Sequence, residues 1–335
     1  MMARSDTEPT RGDRPLPDLQ EWGLSPDDDN FHPRTDDPWW TETVWFAWMV
    51  PEREMLGYFY PVFRPNHGVQ FGGVLVVDRS GELPWELPVF AWDWHQSIPP
   101  ELDLRDAVLD NGMWLRCLEP ATTFEMGFEH PDLTLELRWE ALMRPLVSKG
   151  TPPFTVAGHL DQPGHVTGTM TLHGEEIAID CYAMRDRAWG PRKDGRQPKI
   201  GYSYAIASAT SAFLAITVDR GEGDLVSTGF LMRDGTWSRM ASGHREVTRD
   251  DTGRPVTVQV EATDELGRTV EAAGTVLSRQ VFTAYPSMFC WNSLARWELD
   301  GQTCFGEDQD VWSPRRWRRF ARSLSAAATS GGSGA

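Results

Sequence analysis

Runs in which apolar and polar residues alternate one for one constrain this chain more than any other feature of it. "LTLELRWEAL" from Leu133 and "PVTVQVEA" from Pro255 alternate strictly, and a period of two places successive side chains on opposite faces of a strand. The runs are punctuated by Asn111-Gly112, His173-Gly174, Asp194-Gly195, Asp234-Gly235 and Asp300-Gly301, dipeptides that suit the left-handed backbone of tight hairpins. "GGVLVVDRSGEL" from Gly72 reads as strand, turn, strand. Helical periodicity is scarce. The best helix candidate is "PRRWRRFAR" at 314–322, which runs into "SAAATSGGSGA" and reads as a solvated helix or tail. The expectation is an all-β, antiparallel protein.

Its two halves echo one another. "GYFY" at 57–60 is followed by "GGVLVVDRSGE", and "GYSY" at 201–204 by "TGFLMRDGTW". Two β-units of roughly eight strands each are expected, closed or nearly closed, because closure removes sheet edges. The implied division is a polar N-terminal segment (1–38), a first unit (39–150), a second unit (151–320) and a low-complexity tail (321–335). The Pro-rich "SKGTPPF" at 148–154 is the joint.

Charge and composition exclude several functions. With 32 basic and 49 acidic residues the net charge is −17, which argues against nucleic-acid binding. Four cysteines without a C-x-x-C pair fit neither a zinc site nor a disulfide framework. Residues 1–38 contain no apolar core of a signal peptide, and no apolar run reaches the length of a membrane span. A soluble, cytoplasmic protein is expected. Sixteen tryptophans admit two readings, an aromatic-lined interior or packing filler in a large β-protein.

Signatures of cofactor chemistry are missing. There is no G-x-G-x-x-G turn, no phosphate loop and no H-E-x-x-H, so no nucleotide or other cofactor is expected. His159, His165 and His173 are separated by even numbers of residues and could share one strand face, but glycines interrupt them and no Asp/Glu/His cluster completes a metal site. "GYSYA" places Ser203 one residue from a nucleophile elbow, though its flanks read as continuous strand. In "AWDWHQ", Trp92 and Trp94 share one strand face and Asp93 and His95 the other, either a core face opposite a solvated one or a pocket wall beside an acid or base. In "CFGEDQDVW" at 304–312, Glu307 alternates with Phe305 and Val311; a solvated edge is the default, an inward carboxylate the alternative.

"CYAMRDRAWGPR" at 181–192 is the most unusual stretch. It continues a strand alternating through Ile177, Ile179 and Cys181, which puts Asp186 on the opposite set with Asp180, Tyr182 and Met184. Arg185 and Arg187 then fall on the face away from Asp186. Two readings stand: an aspartate locked to arginine with Trp189 capping a barrel end, or an acid facing a pocket.

Asp186 to Gly190 spells Asp-x-x-Trp-Gly, and His159-Leu-Asp-Gln-Pro-Gly forms a turn region upstream. The pair resembles the carotenoid 1,2-hydratase superfamily, which also holds AttH-like proteins, tocopherol cyclase relatives and cofactor-free Diels–Alderases. The likeness is sharpest across 155–192 and extends through the two-unit layout over 40–315. It implies two consecutive lipocalin-like barrels or sandwiches with an apolar pocket near their junction. It further implies proton donation by Asp186, with His159 upstream and Trp189 as the aromatic. Tyr182 is the nearest tyrosine to serve beside them, and Trp92, Trp94, Tyr202 and Tyr204, on neighbouring strands, are expected with Trp189 against a hydrophobic small molecule. Arg187 stands where the hydratases carry His, and Met184 where they carry Tyr. Two functions follow: a cofactor-independent hydratase, isomerase or cyclase acting on an isoprenoid, polyketide or steroid-like molecule, or a non-catalytic carrier of such a ligand. The direction of Asp186 discriminates between them.

Overall fold

The computed structural model describes residues 18–149, 157–192, 198–285 and 288–331, with side chains described as far as residue 324. The Asp194-Gly195 turn and most of the Pro-rich joint lie outside these. The chain is all-β. The first sheet contains β1 (Trp40–Val50), β2 (Met55–Arg64), β3 (Val69–Val77), β4 (Val89–Ser97), β5 (Asp106–Val108), β6 (Met113–Glu119), β7 (Thr123–His130), β8 (Leu133–Ala141), β9 (Leu146–Lys149), β10 (Gly158–Leu172) and β11 (Glu175–Pro191). The second contains β12 (Lys199–Ser208), β13 (Ser211–Asp219), β14 (Asp224–Arg233), β15 (Thr236–Arg249), β16 (Pro255–Asp264), β17 (Thr269–Phe282), β18 (Phe289–Leu299) and β19 (Gln302–Trp312), and a helix α1 (Pro314–Gly331) follows. No helix among the described residues is long and apolar enough to cross a membrane.

Three of the expected turns close two-residue hairpins with both central residues left-handed: His173-Gly174 (φ 49° and 86°), Asp234-Gly235 (52° and 74°) and Asp300-Gly301 (51° and 76°). "GGVLVVDRSGEL" behaves differently from the expectation. β3 ends at Val77 and β4 starts only at Val89, because the Glu86 carboxylate accepts from the backbone N–H groups of Glu82 and Leu83 and holds an irregular loop.

β12 to β19 close into a barrel of consecutive hairpins. The first sheet runs β4-β3-β2-β1-β11-β10-β8-β7-β6-β5, with β9 also on β10. The hairpin β10–β11 was expected in the second unit. It is instead hydrogen-bonded into the first sheet, β11 to β1 (Trp40↔Pro191 through Phe46↔Arg185) and β10 to β8 (Gly164↔Ala141 through Leu172↔Leu133). The chain changes sheets after Pro191, not near residue 150. Within this hairpin, His159-Leu-Asp-Gln-Pro-Gly is strand rather than turn.

The first sheet curls on itself: Phe46 of β1 reaches Phe124 of β7 across the concave side, with ring centroids 5.5 Å apart. Arg185 and Arg187 point into this curl. Arg185 donates to Gln162 Oε1 (2.9 Å) and Asp29 Oδ1 (3.0 Å) and stacks on Phe124. Arg187 donates to Glu42 Oε2 (2.8 Å) and to the Thr43 and Asn30 carbonyls. Asp29 and Asn30 belong to the segment expected as a polar N-terminal extension, so that segment closes the open end of the curl. Buried charges are tolerated when paired and hydrogen-bonded in this way, and losing one partner costs about 3–5 kcal/mol.

The tryptophans find their use in cross-strand glycines. The indoles of Trp48, Trp114, Trp139, Trp189 and Trp297 lie over Gly57, Gly127, Gly164, Gly158 and Gly274, where any Cβ would meet ring atoms. A large ring covers backbone that glycine leaves bare. Packing accounts for these five tryptophans. The barrel lumen divides similarly into an apolar part around Phe213, Val258, Val260 and Trp297 and a charged part. In the latter, Arg245 binds Asp224, Asp308 and Asp310, Arg249 binds Asp310, and Lys199 binds Asp224. α1 is not simply solvated: Trp317 and Phe320 pack on Phe289 and Trp312, beside this charged part.

Gly164→Ala should therefore force a methyl against the buried ring of Trp139, and overpacking of this kind costs about 1–3 kcal/mol. The measurement is thermal unfolding, in which an unchanged midpoint would contradict the packing described.

Candidate functional site at the junction of the two sheets

Odd-numbered residues of β1 and β10 and even-numbered residues of β2 and β11 face away from the curl, towards the closed barrel. Between them and β12, β17 and β19 lies a cavity of about 290 Å³ lined by Thr43, Trp45, Tyr60, His159, Asp186, Arg192, Ile200, Tyr202, Phe282, Tyr285, Met288, Gln309 and Val311. It is therefore a junction site, built by neither sheet alone.

Asp186 sits at its centre. On β11 it is flanked by Asp161 of β10 and Trp45 of β1, each its direct cross-strand partner. Two carboxylates facing each other across a sheet repel, and the surroundings resolve the conflict asymmetrically. Asp161 accepts the Tyr202 hydroxyl at 2.9 Å and lies 3.0 Å from His159 Nδ1. Among the described residues Asp186 has no hydrogen-bond or ion-pair partner. Burial raises its pKa to about 6; His159 and Arg192 work against this shift, while Asp161 adds to it. Burial alone would discharge His159, but Asp161 outweighs that penalty and holds the imidazolium up to about 9. The result is one committed carboxylate, one cation and one carboxyl poised to exchange a proton.

Two further polar groups complete the site. Arg192 Nη1 donates to the Tyr285 hydroxyl (2.8 Å), which is 3.3 Å from the Tyr60 hydroxyl. Behind Gln309, Glu307 accepts from Tyr58 (2.9 Å) and from Gln309 Nε2 (2.8 Å), and burial pushes its pKa up to about 8. The solvated edge expected for this strand is thus overturned. Glu307, Asp308 and Asp310 are all fully buried, because β19 is walled by the first sheet on one face and fills the lumen on the other.

His159, Asp161 and Asp186 bring their ligand atoms within 4.8 Å of one another, the grouping that could collect a cation. Its donors suit that role poorly: His159 Nδ1 and both Asp161 oxygens are already engaged with each other and with Tyr202, and Arg192 contributes a further positive charge to the same cavity.

The model of a family described as a domain of unknown function, DUF7064, matches residues 25–308. The chain is a member of the DUF7064 family. A search of the curated proteins finds no match. Among solved structures, the DUF7064 chain is similar to a protein of Nitrosomonas europaea (NE1406) described as a candidate AttH, with 16% identity, TM-score 0.56, and coverage of 81% of this chain and 91% of that one. It is also similar to kievitone hydratase from Nectria haematococca, with 10% identity, TM-score 0.52, and coverage of 84% and 91%. The two-barrel fold that the sequence resemblance implied is the fold shared with both.

Of the residues singled out in the DUF7064 sequence, the cavity brings together Asp186, His159 and Tyr202. Tyr182 lies further back along β11 against His165, with ring centroids 5.2 Å apart. Trp189 falls on the other face, stacked on His32 (3.7 Å) and packed with Leu24, Trp40 and Leu160. Trp92 stands behind the wall, against Tyr60 and Phe282. Trp94 is about half exposed and stacks on Phe71. Tyr204 is buried beside Tyr202. Ser203 faces the lumen and donates to Asp308 (2.6 Å). His165 pairs with Asp180, and His173 with the Pro88 carbonyl. Asp161, Arg192, Tyr60 and Tyr285 were missed as site residues. Asp161 was visible, two residues from His159 and hence on its face; Tyr60 and Tyr285 carry no local signal, because pairing of distant strands brings them in.

Because the Glu307 pKa is raised above its unfolded value, the folded state holds a proton that the unfolded chain loses first, and stability falls as pH rises from about 4.5 to about 8. Glu307→Gln should remove that part of the loss. Thermal unfolding at several pH values tests this: the variant should gain on the wild type between pH 5 and pH 8.5, and parallel curves would contradict the assignment.

Proposed function

We propose that the junction cavity is the active site of a cofactor-independent acid–base enzyme, a hydratase, isomerase or cyclase acting on a hydrophobic molecule of isoprenoid, polyketide or steroid-like type. One observation carries this reading. Asp186 faces the cavity without an ion-pair partner among the described residues, while Arg185 and Arg187, its sequence neighbours, are engaged on the opposite face. A carboxylate locked to either arginine would have favoured a carrier. That a structure sharing the fold is named a hydratase is consistent with the proposal.

Protonated Asp186 donates its proton to an alkene carbon, leaving a carboxylate and a carbocation. The faces of Trp45, Tyr60 and Phe282 line the cavity, and an aromatic face stabilises a desolvated cation by about 2 kcal/mol. The new carboxylate is held by His159, whose positive charge also balances Asp161. In hydration, water attacks the cation and returns its extra proton to Asp186, so that the sum is addition of water. In isomerisation or cyclisation, Asp186 takes the proton from a neighbouring carbon instead. A group with a pKa near 6 is suited to both halves of such a cycle.

Asp186→Asn should keep ligand binding and lose turnover by about 10²–10⁴-fold, as for loss of a general acid. Since the donor must be protonated, kcat/KM of the wild type should fall as pH rises above about 6. His159→Asn removes a charge that favours the carboxylate, so this limb should move to higher pH. Rates against pH for a panel of isoprenoids, sterols and long-chain polyketides provide the test. Full activity in Asp186→Asn, or activity abolished by a chelator, would refute the proposal; binding without turnover by the wild type would point to a carrier.

A further inference from the structure

We propose that Arg192 and the paired hydroxyls of Tyr60 and Tyr285 form an oxygen-binding corner of the cavity, and that the substrate is an apolar skeleton carrying a carboxylate or enolate oxygen rather than a bare hydrocarbon. The proposal rests on the acid–base reading of the same cavity and names the class of molecule it acts on.

Among the described residues the three fully buried arginines are each spent on a carboxylate: Arg185 on Asp29, Arg187 on Glu42, and Arg245 on Asp224, Asp308 and Asp310. Arg192 lines the cavity, and among the described residues no carboxylate pairs with it. Its side chain donates to the Tyr285 oxygen at 2.8 Å and lies 5.4 Å from the centre of that ring. A guanidinium presents five N–H donors in a planar fork that matches a carboxylate, and the bonds to the Tyr285 and Tyr60 hydroxyls leave donors of the fork unspent.

The phenols add a donor. Tyr285 accepts from Arg192, and the two hydroxyls lie 3.3 Å apart, where either can donate to the other. Only one proton is used between them, so one O–H remains for a further acceptor. Both tyrosines are buried, where a vacant donor is costly. Cation, phenol and cavity wall thus converge on a place for an anionic oxygen.

The rest of the cavity fits the remainder of such a molecule. Trp45 packs on Tyr60 and Phe282, with centroids 4.7 Å and 6.4 Å away, an aromatic wall for a flat or folded hydrocarbon skeleton. Asp186, the cross-strand partner of Trp45, borders that wall. A molecule anchored by its oxygen at Arg192 lays its carbon skeleton along the wall within reach of the acid. The anchor then fixes which carbon meets the proton, a role that apolar packing alone performs weakly.

The test is calorimetric binding to the full chain near pH 7 of 2-naphthoate and of 2-naphthalenemethanol, two ligands that share a skeleton and differ at the oxygen group. The wild type should prefer the carboxylate by about tenfold or more, equal to about 1.4 kcal/mol. Arg192→Met should abolish the preference, and Arg192→Lys should retain part of it. Asp186→Asn should keep it, which separates failure of the anchor from failure of the acid assignment: loss of turnover in Asp186→Asn bears on the acid alone. Equal affinities in the wild type, absence of binding by either ligand, or a preference undiminished in Arg192→Met would overturn the proposal. Should Arg192→Met fail to fold, Tyr285→Phe replaces it, with a severalfold weaker preference expected and an unchanged one contradicting.

Discussion

Along β11, Arg185, Arg187 and Trp189 project into the curl of the first sheet while Asp186 projects out of it towards the closed barrel. The period of two that makes the segment a strand also separates the acid from the cations beside it in sequence. Were the register shifted by one residue, the arginines would meet the junction and the aspartate would be buried among Phe46, Phe124 and Trp139. The paired partners of Arg185 and Arg187, supplied by the N-terminal segment and β1, hold that register in place.

From this follows the distribution of charge across the molecule. Cations inside the curl and inside the barrel lumen are matched by carboxylates. The junction is arranged otherwise. There Asp161 is committed to His159 and Tyr202, Asp186 and Arg192 are left without ion-pair partners among the described residues, and Glu307 stands behind Gln309 with its proton retained by burial. Unmatched groups in a folded protein cost stability, and they collect where chemistry uses them.

Much of the fold was legible because it is written in local patterns. Alternation marked β8 and β16, and the His173-Gly174, Asp234-Gly235 and Asp300-Gly301 turns closed the hairpins they announced. The membership of β10 and β11 in the first sheet was not legible, since a Pro-rich stretch looks the same whether or not a sheet ends there, and only pairing with β1 and β8 decides it. The same limit governs the site. Asp186 and His159 were visible from alternation and resemblance. Trp189 was assigned to the ligand although it shares the parity of Arg185 and Arg187, which already placed it on the other face. Glu307 was taken for a solvated edge because a run of acids ordinarily is one; two walls, both distant in sequence, bury it.

The claim on which the account turns is that Asp186 is a partly buried, cavity-facing carboxyl, without an ion-pair partner among the described residues, able to hold a proton near neutrality. It is tested most directly by infrared difference spectroscopy of the wild type against Asp186→Asn across pH, following the carbonyl band of the protonated acid, which requires no knowledge of the substrate. The account predicts a protonated-acid band that is lost with a midpoint near pH 6. A midpoint at or below the ordinary aspartate value of about 4 would contradict it.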